Sequence, residues 1–491
     1  MRRPASVLLI SLLAGCQFAP PHERPESPTA SRYPQAYNTD AEDVAPASIG
    51  WRDFLLDPRL HVLIDSALER NRDLQVAVER IEEARGQFRV QDADRYPSLG
   101  LNADASRGRF PTGGGGGFGT SAGAGVGGAQ GSSATAAGGG VVERYSLGIG
   151  VTAFELDFWG RVRNLSEAAR AQYLATVEAQ RAFRLSLIAD VSATYLAVRE
   201  ADERIALAEA TVRSRRDGLR IAQVRFDAGI TSALDFNQAQ ALLTQAETAL
   251  AALRLTRAQQ LNFLTQLIGG EPPAPLPDAN ALARQTNPVT LAAGLPSELL
   301  LVRPDILAAE EQLRAARANI GVARAAFFPQ VSLTGSAGYA STELSNLIGS
   351  DNRTWSIGPS ISLPLFDFGR NRGNLTVAEA RENIAIAEYE RAIEVAFREV
   401  ADALAGRRYL AEQVAAQQEN VATLRRIAEL AKERYAEGVV NYLEVLDAER
   451  NRFDAEQAFI QVQRAQVQNL IELYVALGGG TAAAIDETAA R

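Results

Sequence analysis

Two stretches of the chain carry an apolar residue at every seventh position. Val191, Val198, Ile205, Val212, Leu219 and Phe226 recur in step, and Val414, Val421, Ala428 and Tyr435 continue the same phase further on. A strict seven-residue repeat is the seam of coiled-coil packing, narrower than the stripe of a globular core helix. From about 163 to 227 there is no proline and Gly218 is the one glycine; from about 374 to 437 there is no proline and Gly406 stands alone. At about 1.5 Å per residue, each predicted helix spans about 95 Å. Each pattern stops at a glycine, Gly229 or Gly438, and resumes as a shorter helix, about 233–268 and about 442–477. Glycine suits the left-handed backbone that commonly ends a helix.

A second pattern has period two. Leu147, Ile149, Val151 and Ala153 alternate with Ser146, Gly148, Gly150 and Thr152. Ile357, Pro359, Ile361 and Leu363 oppose Gly358, Ser360 and Ser362, and Val331 and Leu333 oppose Ser332 and Thr334. Alternation predicts strands, forming β-hairpins at about 95–157 and about 329–367. A soluble sheet with one buried face has the same periodicity. Three features favour a sheet facing lipid. The polar face is Ser, Thr and Gly with little charge. Aromatics (Tyr145, Phe154, Tyr339, Trp355, Phe366) sit near the strand ends. The strands are about ten residues long, as a tilted membrane strand requires. Each hairpin is preceded by a predicted helix, about 60–94 or about 299–327, which ends before Pro97 or Pro329 because the residue preceding proline avoids the α region.

The two sets of elements are copies. Residues 73–101 align without a gap on 305–333, pairing Asp73 with Asp305, Arg85 with Arg317, Pro97 with Pro329 and Leu101 with Leu333. YSLGIGVTAFELDFWGR from Tyr145 matches WSIGPSISLPLFDFGR from Trp355, and RFDAGITSALDFNQAQ from Arg225 matches RYAEGVVNYLEVLDAE from Arg434. The offset shrinks along the chain because the first copy holds a glycine-rich insert at about 108–140, read as a flexible loop at a hairpin tip. No Lys-Ser/Thr pair follows those glycines, so they do not form a phosphate-binding loop. The chain therefore reads as repeat one at 51–270, a proline-rich linker at 271–296, repeat two at 297–478 and a tail at 479–491.

The N-terminus changes the picture. Arg2 and Arg3 precede an apolar run from Val7 to Leu13, so residues 1–15 read as a signal peptide. Leu13-Ala14-Gly15-Cys16 resembles the lipobox of bacterial lipoproteins, which implies cleavage before Cys16 and a covalent lipid on its thiol. Gln17 follows it, not the aspartate that in such lipoproteins means retention in the inner membrane, so outer-membrane sorting is implied. Residues 16–50 form an extended tether. No later segment holds 18 consecutive apolar residues, so no transmembrane helix is predicted.

Composition removes several function classes. The 491 residues include 59 acidic and 50 basic side chains, a balance that argues against a nucleic-acid partner. Cys16 is the one cysteine, so there is no disulfide framework or thiolate metal cluster. With two histidines, His22 and His61, histidine-based catalysis and zinc sites lack material, and no cofactor is expected beyond the lipid at Cys16. The chain does not read as an enzyme. Nor can four strands close a barrel, and hydrocarbon tolerates no open sheet edge. Three chains would supply twelve strands and twelve helices.

These residues together resemble the outer-membrane factor family, in particular the TolC/OprM-like lipoproteins of tripartite efflux systems. The resemblance rests on the lipobox, the duplicated plan, the D-F-(W)-G-R motifs at Asp157–Arg161 and Asp367–Arg370, and Tyr435, Gly438, Leu443, Asp447 and Ala448 at their spacing. It implies a mainly α protomer that trimerises into a 12-stranded transmembrane β-barrel joined to a long periplasmic α-helical barrel. It implies a periplasmic adaptor and an inner-membrane RND-type pump as partners. The family's periplasmic gate falls on Leu443, Asp447 and Arg450, with Glu444 at the position of an acidic ring residue. A Tyr–Asp hydrogen bond between the repeats falls on Tyr435 and Asp235. Gly229 and Gly438 fall at the helix tips that meet the adaptor. The gate arginine and its threonine partner known in TolC-like members are Val440 and Leu234 here, so that part of the lock is missing. An ion pair on a solvated helix face remains the plain reading of Asp447 and Arg450. A protein-secretion duct and a coiled-coil lipoprotein without a pore remain the alternatives.

Overall fold

The computed structural model describes residues 18–33, 48–109, 141–286, 291 and 296–481. The signal peptide, Cys16, most of the glycine-rich insert and residues 482–491 lie outside the described residues.

The element order is α1 (Trp51–Phe54), α2 (Pro58–Arg70), α3 (Arg72–Ala93), β1 (Leu99–Arg109), β2 (Val141–Glu155), α4 (Arg161–Asp227) and α5 (Ala233–Leu267). Then follow α6 (Pro296–Val302), α7 (Pro304–Ala325), β3 (Gln330–Ser341), β4 (Arg353–Ser362), α8 (Arg370–Ala436) and α9 (Tyr442–Ala476). The two long helices have 67 residues each, and the two returning helices 35 each. Among the described residues no helix is long and apolar enough to cross a membrane.

The chain divides into two compact units. One comprises the described residues of Met1–Pro25, Glu82–Thr176 and Ala309–Glu388. Its centre is an antiparallel sheet in the order β1-β2-β3-β4, so the two hairpins join through β2 and β3. Among the described residues, β1 and β4 each have one unpaired edge. The alternation expected for β2 fails at its end. Val151 pairs with Gly335 but Phe154 pairs with Leu333, so two residues face one and a bulge forms. Ala153 sits at φ 51 within it and leaves the apolar row assigned to it. Leu363 likewise falls outside, since β4 ends at Ser362.

The D-F-(W)-G-R motifs turn the strands into the long helices. Asp157 Oδ2 accepts from the Arg163 amide at 2.8 Å, and Asp367 accepts from the amides of Gly369 at 2.9 Å and Asn371 at 2.8 Å. Each aspartate satisfies donors that a helix start leaves orphaned, with favourable charge. The start therefore lies at Arg161 and Arg370, a few residues earlier than the periodicity placed it. In this unit the N-terminal segment is docked. The Phe18 ring stacks on Phe328 at 4.6 Å, and Trp159 stacks on Phe328 at 4.8 Å.

The other unit comprises the described residues of Glu26–Ile81, Val177–Ala308 and Tyr389–Arg491. Its seams are the heptad positions. Val191, Val198 and Val212 are buried, as are Val421 and Ala428. The stripe is dry only part of the way: Phe226, in phase with the rest, is 38% exposed. Ala208, Val212, Ala246, Leu250, Leu253 and Phe453 form one apolar cluster between α4, α5 and α9. Alanines at such contacts allow close helix approach, and Gly406 allows more. A Cβ there would lie 2.0 Å from Asn469 Oδ1, while Asn469 Nδ2 donates to the Ala403 carbonyl at 2.8 Å.

Each helix expected before a hairpin is two helices. The breaks fall at Asn71 and Arg303, equivalent positions in the two repeats. The cause differs but the outcome is shared. Asn71 Oδ1 caps the Leu74 amide at 2.8 Å, and Pro304 keeps Arg303 out of the α region. Asn71 Nδ2 then donates to the Leu267 carbonyl at 2.9 Å, and Arg303 Nη1 to the Ala476 carbonyl at 3.1 Å. Both acceptors are orphan carbonyls at the end of a returning helix. Replacing Asn71 with Ala removes both of its bonds and is expected to cost about 2 kcal/mol. The check is a lower apparent melting temperature of the purified protein, with Asn71→Ser, which keeps a capping oxygen but is too short to reach the Leu267 carbonyl, falling between.

Candidate functional site

The residues singled out by the sequence gather at two corners of the second unit. The first joins α4 to α5 and the second joins α8 to α9, and their backbones are built alike. Gly229 (φ 73) donates to the Phe226 carbonyl at 2.9 Å and Ile230 to the Arg225 carbonyl at 2.8 Å. Gly438 (φ 76) donates to the Tyr435 carbonyl at 3.1 Å and Val439 to the Arg434 carbonyl at 2.9 Å. This is the double-bonded glycine ending of a helix, made twice. A Cβ on either glycine would meet nothing within 4 Å, so only the backbone demands glycine there.

The returning helices also start alike. Ser232 caps α5 by accepting from the Asp235 amide, and Asp235 answers to the Ser232 amide. Asn441 caps α9 by accepting from the Glu444 amide at 3.3 Å. Asp235 and Glu444 are equivalent positions, yet their side chains do different things. The Asp235 carboxylate accepts from the Thr231 hydroxyl at 2.7 Å and from the Ser232 amide at 3.3 Å. The Thr231 hydroxyl, with help from Ser232, holds its carboxyl below the usual carboxylate range. The position equivalent to Thr231 is Val440, which has no hydroxyl to give. Glu444 turns to Arg434 instead, at 2.6 Å.

The expected bond between Tyr435 and Asp235 is not made. Asp235 is occupied by its own cap, and the Tyr435 hydroxyl accepts from Arg225 Nη1. The Arg225 guanidinium also lies 4.9 Å from the centroid of the Tyr435 ring. Arg225 lay in plain view in the echoed stretch, but nothing in its own repeat marks it as reaching across to the other. Tyr442 was missed as well. Its ring lies 5.1 Å from Tyr435, and its hydroxyl lies 2.8 Å from where a Cβ on Gly218 would stand. Burial, with Tyr435 and Glu449 nearby, pushes the Tyr442 phenol up. Gly218, Tyr435, Tyr442 and Glu449 border a cavity of about 320 Å³ lined also by Arg215, Lys432 and Leu446.

Leu443, Asp447 and Arg450 share one face of α9, as spacings of four and three require. Leu443 is 44% exposed. Asp447 pairs with Arg450 at 3.0 Å, with about half of each side chain in solvent. Within one chain these acids, Glu444 and Asp447, are thus each matched by an arginine. Among the described residues no group of three or more His, Cys, Asp or Glu side chains is placed to hold a metal ion.

The outer membrane efflux protein family model matches residues 63–270 and 295–479. The chain belongs to the outer membrane efflux protein family. It is 41% identical over 473 residues to the solvent efflux pump outer membrane protein SrpC of Pseudomonas putida, covering 96% of each chain. It is 40% identical over 484 residues to OprJ of Pseudomonas aeruginosa, covering 98% of this chain and 97% of that one. The cation efflux system protein CusC of Escherichia coli is 39% identical over 471 residues, covering 95% and 96%. Among solved structures, the open state of the Neisseria gonorrhoeae MtrE outer membrane channel superposes with a TM-score of 0.83 at 38% identity, over 95% of this chain and 99% of that one. A crystal structure of CusC gives 0.82 at 37% identity, over 95% and 100%. This outer membrane efflux protein thus resides in the outer membrane and is the exit duct of an efflux pump. Its family is a transport family.

Gly438→Ala places a side chain in open space but in left-handed backbone, at a cost of about 1–2 kcal/mol. The expected readout is faster amide hydrogen exchange at residues 435–442, with Gly438→Asn, which tolerates that backbone better, closer to the parent.

Proposed function

We propose that three copies of the chain close into one transmembrane duct with a gate at the helix corners. The free edges of β1 and β4 are the observation that carries this reading. Each edge leaves a row of backbone N–H and C=O groups unpaired, and in hydrocarbon each such group costs several kcal/mol. A second copy offers the matching edge, and three copies give twelve strands, a ring wide enough for a water-filled lumen. The solved channels of the family, to which this chain is similar along nearly its full length, support the same assembly. The duplicated long helices continue the ring as an α-helical barrel into the periplasm. Acylation at Cys16 ties the N-terminus to the outer membrane.

The duct accepts small toxic solutes from a periplasmic adaptor and an inner-membrane RND-type pump. Relatives of nearly equal identity carry names for solvent and for cation efflux, so overall identity does not set the cargo. Gly229 and Gly438 are the tips offered to the adaptor. Leu443 forms an apolar constriction that resists wetting, and three Asp447 carboxylates ring the axis, each tied to Arg450 in the closed state. Glu444, Tyr435 and Asp235 hold the corners around it.

Deleting the gene is expected to raise sensitivity to several unrelated toxic compounds. Unchanged sensitivity together with loss of one secreted protein would assign the duct to protein secretion instead. In planar bilayers the purified protein is expected to conduct, and Asp447→Ala combined with Arg450→Ala to conduct more. A protein that ran as single subunits in mild detergent while still conducting would overturn the trimer.

A further inference from the structure

The two corners are copies, and the copying makes their differences informative. Three pairs of equivalent positions matter: Arg225 and Arg434, Phe226 and Tyr435, Asp235 and Glu444. If both corners behaved alike, each arginine would pair with the acid ten residues on. Arg434 does so with Glu444. Arg225 does not, because Thr231 and Ser232 hold Asp235. Its guanidinium is released to reach across to Tyr435 of the other corner, where it both donates to the hydroxyl and faces the ring. The reciprocal bond cannot form, since Phe226 carries no hydroxyl.

The contact continues into α9. Tyr435 packs on Tyr442, the first residue of that helix and the neighbour of Leu443. Tyr442 in turn abuts Gly218 of α4, where the missing Cβ leaves its hydroxyl room. Arg225, Tyr435, Tyr442 and Gly218 therefore form a closed circuit that fastens the start of α9 to α4.

We propose that Arg225 is the clasp of the closed state, a positioning residue that holds α9 through Tyr435 and Tyr442. The proposal rests on the gate reading above. Releasing Arg225 frees the start of α9 without touching Leu443, Asp447 or Arg450. A hydrogen bond from a charged donor, reinforced by the facing ring, is of the size that shifts a two-state equilibrium about tenfold.

The test uses the full-length protein in planar bilayers. Arg225→Ala and Tyr435→Phe are each expected to raise the open fraction, Arg225→Ala by about tenfold and Tyr435→Phe by less because the ring remains. The two changes together are expected to add nothing to Arg225→Ala alone. Arg225→Lys keeps a cationic donor and is expected to restore most of the closure, which a general loosening of the corner would not allow. Asp447→Ala with Arg450→Ala is the control. If the control opens the channel while Arg225→Ala leaves it at the parent level, or if the effects of Arg225→Ala and Tyr435→Phe simply add, the clasp is wrong and the gate stands. If none of the variants opens it, the gate reading falls as well.

Discussion

A backbone amide cannot be left facing oil. That constraint shapes the protein more than any single contact. The sheet has four strands, two outer edges and no room to close on itself. Apolar residues of the sheet such as Leu99, Leu101, Ile357 and Ile361 are exposed in the single chain. Side chains of this kind suit hydrocarbon, and in the proposed assembly further chains pair with the edges. In the proposed assembly, the number of strands a single repeat pair can supply is what calls for further copies.

Duplication meets the same demand with little sequence. Each repeat brings one hairpin, one long helix and one return. The joints that hold the repeats in shape are also doubled, sometimes by different residues. Asn71 and Arg303 are the clearest case, one an amide and one a guanidinium, each closing the last carbonyls of a returning helix. The chemistry drifted while the geometric requirement, a donor at that carbonyl, stayed fixed. The corners show the reverse. There the backbone is the same to within a few tenths of an ångström in its hydrogen bonds, and the side chains have taken separate tasks.

Much of this was legible from the residues. Seven-residue and two-residue periods are local signals that packing enforces along a whole element, so the seams at Val191, Val198 and Val421 and the strands around Ile149 and Ile357 could be read directly. The self-alignment gave the two corners and their glycines. What escaped depended on single side chains. The break at Asn71 is hidden because helical periodicity runs through it, and a lone asparagine serves a cap or a surface equally well. The bulge at Ala153 adds one residue without changing composition. The partner of Tyr435 could not be found by spacing, since Arg225 lies 210 residues away and its choice depends on what Thr231 does to Asp235.

The pairing of Glu444 with Arg434 and of Asp447 with Arg450 has a consequence for permeating ions. Glu444 and Asp447, each matched by a guanidinium, add almost no net fixed field to the solution beyond a Debye length. In the proposed trimer, swinging those arginines aside would unmask up to six carboxylates, two from each chain. Ionic preference would then strengthen as the proposed aperture widens, so the same movement that admits a solute would also bias the charge that travels with it.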